Sequence, residues 1–223
     1  MSRGRGKNTL IEITRVAHKH LEKGELEKAT EHFEKAATEA ESVEDSDLKI
    51  SCFLNAGACL VSLGQYDKGL RLLESAAGVI KTVQGDTEEG GNPHVLASSA
   101  DVHYNSAVAC QGMKDHERAA REYQACVELY EKAGYRQHAA DALASLAACH
   151  RESEQREEER ACLIRAQQSY RELEDQRGDA IVCTDLARVC LSLGKTEECK
   201  QMLSRAKVIC LRVDDQKTQG KHQ

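Results

Sequence analysis

The chain of 223 residues contains one proline, no tryptophan and only two phenylalanines. Proline is the strongest breaker of helices, so its near absence, beside abundant Ala, Glu, Leu, Lys and Arg, points to an all-α fold. Long apolar runs are missing too. No stretch reaches the roughly 18 consecutive apolar residues that a membrane-spanning helix needs. The opening MSRGRGKN lacks the apolar segment a signal peptide carries behind its basic residues, and Ser2 stands where N-myristoylation requires glycine. Positive charge is not in excess: 31 Lys and Arg face 37 Asp and Glu, a net charge of −6. That balance gives no electrostatic case for nucleic acid or an anionic membrane. What is present, 40% hydrophobic and 30% charged residues, suffices for a packed core.

Cysteine is the one residue type in surplus, with ten copies at positions 52, 59, 110, 126, 149, 162, 183, 190, 199 and 210. No pair is spaced C-x-x-C, and most lie inside apolar helical stripes such as SAVAC and ARVCLSLG. A zinc site needs thiolates converging at short spacing, and a disulfide framework belongs to short secreted chains. The favoured reading is that these cysteines are small buried residues interchangeable with alanine, in a reducing, cytoplasmic setting.

The stretch SLGQYDKGLRLLESA reads as a helix end, a turn at Gly64 and a second helix. Its pattern of a small residue, a turn residue and three helix positions runs Gly57, Gly64, Gly69, Leu73, Ala76. The same pattern runs Ala17, Gly24, Ala29, Phe33, Ala36, and Ala107, Lys114, Ala119, Tyr123, Cys126. It closes with Ala147, Glu154, Glu159, Leu163, Ala166, and Ala187, Gly194, Cys199, Leu203, Ala206. Successive copies step by 40, 50, 40 and 40 residues. Five copies of one helical hairpin follow. Gly24, Gly64 and Gly194 are the expected left-handed residues that end the first helix of each hairpin. Copies three and four lack that glycine. Gly112 is a candidate substitute in copy three, and HRESEQREEER shows no terminator in copy four. Small residues such as Gly57 and Ala147 are expected where the two helices cross closely.

This pattern resembles the tetratricopeptide repeat family, with its Leu-Gly and Tyr in helix A and its Gly, Tyr, Ala, Phe and Ala through the turn and helix B. Phe53, Gly57, Leu60, Gly64, Tyr66, Gly69, Leu73 and Ala76 carry the best match, and Leu146-Ala147 and Leu186-Ala187 repeat part of it. The family's closing proline is absent and Glu159 replaces its usual alanine. The period of about forty is that of the long repeats of LGN, rapsyn and kinesin light chain proteins. The resemblance implies an all-α, right-handed superhelical α-solenoid whose concave face is lined by A helices. It places repeats at about 9–48, 49–88, 97–138, 139–178 and 179–213. Around them lie an inserted loop at about 82–96 and disordered ends at 1–8 and 214–223.

No enzymatic motif is found: no P-loop, dinucleotide fingerprint, nucleophile elbow or H-E-x-x-H. His18 and His20 project from different helix faces, as do Cys149 and His150, and RESEQREEER reads as a solvated face. The expected protein is no enzyme and needs no metal or cofactor. Function is then expected in the groove. The resemblance makes helix-A position six a concave residue, and here it is polar in every copy: Arg15, Asn55, Asn105, Ser145 and Asp185. In peptide-binding members an Asn at this slot commonly bonds the ligand backbone, which makes Asn55 and Asn105 candidates. Asp101, Tyr104, Asp141, Arg151 and Arg188 are the neighbouring concave candidates. The carboxylate clamp of chaperone co-factors is not matched, because Thr14, His18, Asp101 and Asn105 stand where it needs other residues and only Asn55 fits. The expected partner is a peptide or helical segment of another protein. The last copy offers an alternative: Met202, Leu203, Val208, Ile209 and Leu211 have no following helix to cover them. They suit self-association or packing on a further C-terminal portion.

Overall fold

The computed structural model describes residues 2–84 and 92–219, with side chains within 6–84 and 92–212. Ten α-helices and no strand occur among the described residues. They fall into two units, one ending at Ala133 and the other beginning at Gly134. The first holds α1 (Ser2–Glu22), α2 (Leu26–Ala40), α3 (Ser46–Ser62), α4 (Tyr66–Gln84), α5 (Pro93–Gly112) and α6 (His116–Ala133). Each helix packs on the next, and α3 also touches α5. The second holds α7 (Arg136–Glu152), α8 (Arg156–Glu172), α9 (Gln176–Ser192) and α10 (Thr196–Gln219), again packed in succession. Each unit is thus a short α-solenoid, of three hairpins in one and two in the other.

The repeat pattern governs the core. Phe33, Leu73, Tyr123 and Leu163 hold one position and are 0, 0, 2 and 2% exposed. Ala36, Ala76, Cys126 and Ala166, three residues on, are wholly buried. Gly57 and Gly69 face each other across α3 and α4: a Cβ on Gly57 would lie 2.9 Å from the Leu73 side chain, and one on Gly69 would lie 2.7 Å from Val61. Close approach of the axes at this crossing therefore requires glycine on both sides.

Six turns close in the same way. The residue after the left-handed position donates its N–H to the carbonyl five residues back, as in Glu25 to His20, Gln65 to Leu60, Asp115 to Cys110, Gln155 to His150, Asp175 to Tyr170 and Lys195 to Cys190. Gly24, Gly64 and Gly194 supply the left-handed residue as expected (φ 73, 75 and 71°). The expectation for the other turns is corrected. Lys114, Glu154 and Glu174 themselves take the left-handed conformation at φ 64, 58 and 57°. The hydrogen bonds and the packing on either side outweigh the steric cost of about 1–2 kcal/mol per residue. Gly112 is instead the last residue of α5, where an added Cβ would run into the Tyr66 ring from α4.

Hairpins begin earlier than the expected repeat limits, at 2, 46, 93, 136 and 176 rather than 9, 49, 97, 139 and 179. Capping explains three of these starts. Asp45 accepts from Leu48 N–H, Asn92 from His94 N–H ahead of Pro93, and Asp175 from Gly178 N–H. The N-terminus departs from its expected disorder, because α1 starts at Ser2 and Lys7 Nζ reaches Asp45 Oδ2 at 2.6 Å. Residues 214–219, also expected as disordered, continue α10. Residue 1, the tail 220–223 and the 85–91 portion of the inserted loop lie outside the described residues. Nine cysteines are buried and Cys210 is exposed, all as free thiols.

Candidate groove between helices α3 and α5

The repeat spacing that builds the core also leaves one face of each A helix turned away from its own B helix. On α3 that face carries Asp47, Ser51, Leu54, Asn55 and Ala58; on α5 it carries His94, Ser98, Asp101 and Asn105, at offsets of four, seven and eleven residues. Together with Ile50, Asn92 and Val95 they line a cavity of about 360 Å³ in the first unit. Its apolar lining comes from Ile50, Leu54, Ala58 and Val95, and its polar lining is amide, hydroxyl, imidazole and carboxylate.

Three of the ten expected groove residues, Asn55, Asp101 and Asn105, meet there. The Asn105 amide donates to the Asp101 carbonyl at 2.8 Å, while the Asn55 amide makes only a 3.4 Å contact with Ser51 Oγ. The Asp101 carboxylate accepts from Tyr130 Oη of α6 at 2.5 Å. Burial and this neighbouring carboxylate both raise the tyrosine's pKa above its ordinary value, so the hydroxyl keeps its proton and stays a donor.

The remaining candidates do not join the cavity. Arg15 is exposed on α1 and pairs with Glu12 at 2.7 Å. Tyr104 packs edge-to-face on Tyr123, ring centres 5.5 Å apart, inside its own repeat. In the second unit Asp141 accepts from Tyr170 Oη at 2.7 Å, and Ser145 Oγ donates to the Asp141 carbonyl at 3.0 Å. Arg151, Asp185 and Arg188 form a charged network. Arg188 bonds Asp185 at 3.2 Å and the buried Glu159 at 2.7 Å, and Arg151 reaches Asp185 at 3.9 Å. Arg156 completes it, 3.3 Å from Glu159. Arg188 and Asp141 each tie one helix to another. Glu159 tolerates the family's alanine position because two guanidinium groups neutralise it.

Sequence reasoning missed Ser51, Leu54, Ala58 and Ser98 as lining. For Ser51, Ala58 and Ser98 the signal was available, since each lies three or four residues from Asn55 or Asp101 on the same helix face. The cysteines offer no chemistry to this groove. Burial raises the thiols of Cys52 and Cys183 to about 11 and that of Cys126 to about 12, so they remain protonated. Among the described residues no three His, Cys, Asp or Glu side chains cluster as a metal site, and no helix is long and apolar enough to cross a membrane.

Residues 100–132, from α5 through α6, match the family model of the tetratricopeptide repeat. That hairpin is thus similar to one tetratricopeptide repeat. The wider fold agrees. BtubC (BKLC) from P. vanneervenii superposes with a TM-score of 0.78 at 17% identity, over 96% of this chain and 84% of that one. The nearly identical TPR-like repeats assigned to a kinesin light chain of Podosopora anserina give 0.72 at 17%, over 93% and 97%. A Rap protein complexed with Competence and Sporulation Factor gives 0.67 at 13%, over 92% of this chain and 54% of its own. At such identities the likeness is one of fold. Within it, the α3–α5 groove lies on the A helices of the second and third repeats.

Proposed function

We propose that this tetratricopeptide repeat array is a non-enzymatic adaptor that takes a peptide or helical segment of another protein into the α3–α5 groove, in the cytoplasm and without a cofactor. The observation that carries the reading is the convergence of Asn55, Asp101 and Asn105 beside an apolar lining in one cavity of about 360 Å³. Such a site suits a short segment, because apolar contact supplies affinity while a few fixed polar groups set orientation. The fold shared with the Rap protein crystallised with Competence and Sporulation Factor supports a ligand-carrying role for this architecture. The chaperone-tail type of ligand is disfavoured, because Asp101 would repel a terminal carboxylate. The test is affinity capture from cytosol by the native chain and by an Asn55→Ala, Asn105→Ala variant of equal helical content. Proteins held by the native chain and lost from the variant support the groove. A set of partners held equally by both refutes it.

A second reading, a scaffold segment that associates through its last repeat, is favoured by one contrast. Leu203 is 51% exposed, although the equivalent Phe33, Leu73, Tyr123 and Leu163 are 0–2% exposed. Val208 and Leu211, at 46 and 56%, lie on the same helix. Ile209 does not belong to this surface, being only 8% exposed. Leu203→Glu with Leu211→Glu is therefore the change that should dissociate an assembly in sedimentation. A chain that is monomeric before the substitution sinks this second reading.

A further inference from the structure

Resting on the reading of the α3–α5 groove as the recognition surface, we infer that the groove selects protein segments in which a lysine or arginine stands beside an apolar residue. The lining contains two carboxylates, Asp47 and Asp101, and neither Lys nor Arg. Asp47 is exposed in the first turn of α3. Asp101 accepts from Tyr130, whose hydroxyl is the donor in that bond. A cationic side chain entering the groove meets both, and an acidic one meets repulsion from both; such like-charge rejection is how interfaces suppress wrong partners.

The apolar lining of Ile50, Leu54 and Val95 is the second half of the selection. It takes an aliphatic side chain beside the cation, and the aliphatic stem of a lysine or arginine covers the rest. A volume of about 360 Å³ holds one or two side chains, so the unit recognised is a short motif rather than a folded surface. Asn55 has only its long contact with Ser51 to give up when it turns to the backbone of such a segment.

The experiment is selection of a displayed library of random peptides on the intact chain, on Asn55→Ala/Asn105→Ala and on Asp47→Lys, followed by anisotropy titration of the labelled consensus peptide. The inference expects motifs with Lys or Arg next to Leu, Ile or Val on the native chain. It expects their affinity to fall on the order of fivefold to tenfold in Asp47→Lys and by an intermediate factor in Asp47→Asn. Binding should weaken as salt is raised, and the selection on Asp47→Lys should shift toward acidic motifs. Acidic or uncharged motifs whose capture needs Asn55 and Asn105 would overturn the inference and leave the groove reading standing. No motif dependent on Asn55 and Asn105 would overturn both.

Discussion

Glu159 is a carboxylate 1% exposed at a position that other repeats fill with Ala29, Gly69 and Ala119. It is held by Arg188 at 2.7 Å and Arg156 at 3.3 Å, and both arginine side chains remain partly in water, 43 and 35% exposed. The perturbation is Arg188→Met. Breaking a fully buried pair by removing one partner costs about 3–5 kcal/mol, because the other charge is stranded. Here Arg156 stays and the lost guanidinium is half hydrated, which reduces the expected cost to about 1.5–3 kcal/mol. In a Glu159→Ala background the same Arg188→Met change strands nothing and should cost under about 0.5 kcal/mol, as surface substitutions do. Glu159→Ala alone returns the repeat's usual residue and should cost less than Arg188→Met. Guanidinium unfolding of the four proteins of this cycle, followed by circular dichroism, gives the midpoints that decide it. An Arg188→Met cost that is equal in both backgrounds would refute the reasoning. It would return Arg188 to the list of residues with no structural task.

Three further outcomes follow from the same geometry. Lys114→Gly and Glu154→Gly, both exposed left-handed positions, should each stabilise by about 1 kcal/mol and raise Tm by about 2–4 °C; a lower Tm would show that their side chains matter to the turn. Acid should destabilise the chain in a defined window. The hydrogen bond from His20, with a further bond from Lys28, lowers Glu25 from 4.5 to about 2, and the hydrogen bond to His103 lowers Glu122. A depressed carboxylate contributes stability above its unfolded pKa and loses it as pH falls through the folded one. The unfolding midpoint should therefore drop as pH falls from 4.5 toward 2, and less steeply in Glu25→Gln/Glu122→Gln. A thiol reagent should modify Cys210 alone in the native chain and all ten cysteines in denaturant; rapid native reaction of several would contradict the buried stripes.

Much of the fold was legible because one physical demand recurs. A side chain at 33, 73, 123 or 163 must fill the space between two helices, and the small residue three positions later must let them approach. The turns were half legible. Glycine at 24, 64 and 194 announces a left-handed residue, but Lys114 and Glu154 adopt it because the same closing hydrogen bond, one in each of six turns, imposes it. Gly112 misled for the complementary reason: it looked like a turn residue and proved to be a space left for Tyr66. In the groove, the polar slot at Asn55 and Asn105 was reached through the family resemblance and the register it implies. The engagement of Asp101 by Tyr130, Asp141 by Tyr170 and Glu159 by Arg188 was not, although all three pairs share a separation of 29 residues. That separation spans a turn, and only the packed structure shows which side chains it brings within reach.

The central claim is that recognition belongs to the A-helix faces of α3 and α5. Hydrogen exchange of the chain with and without its captured partner tests it most directly. The account predicts slowed exchange concentrated in residues 47–58 and 94–105, with α10 unchanged. Protection confined to α10, or to the second unit, would contradict it.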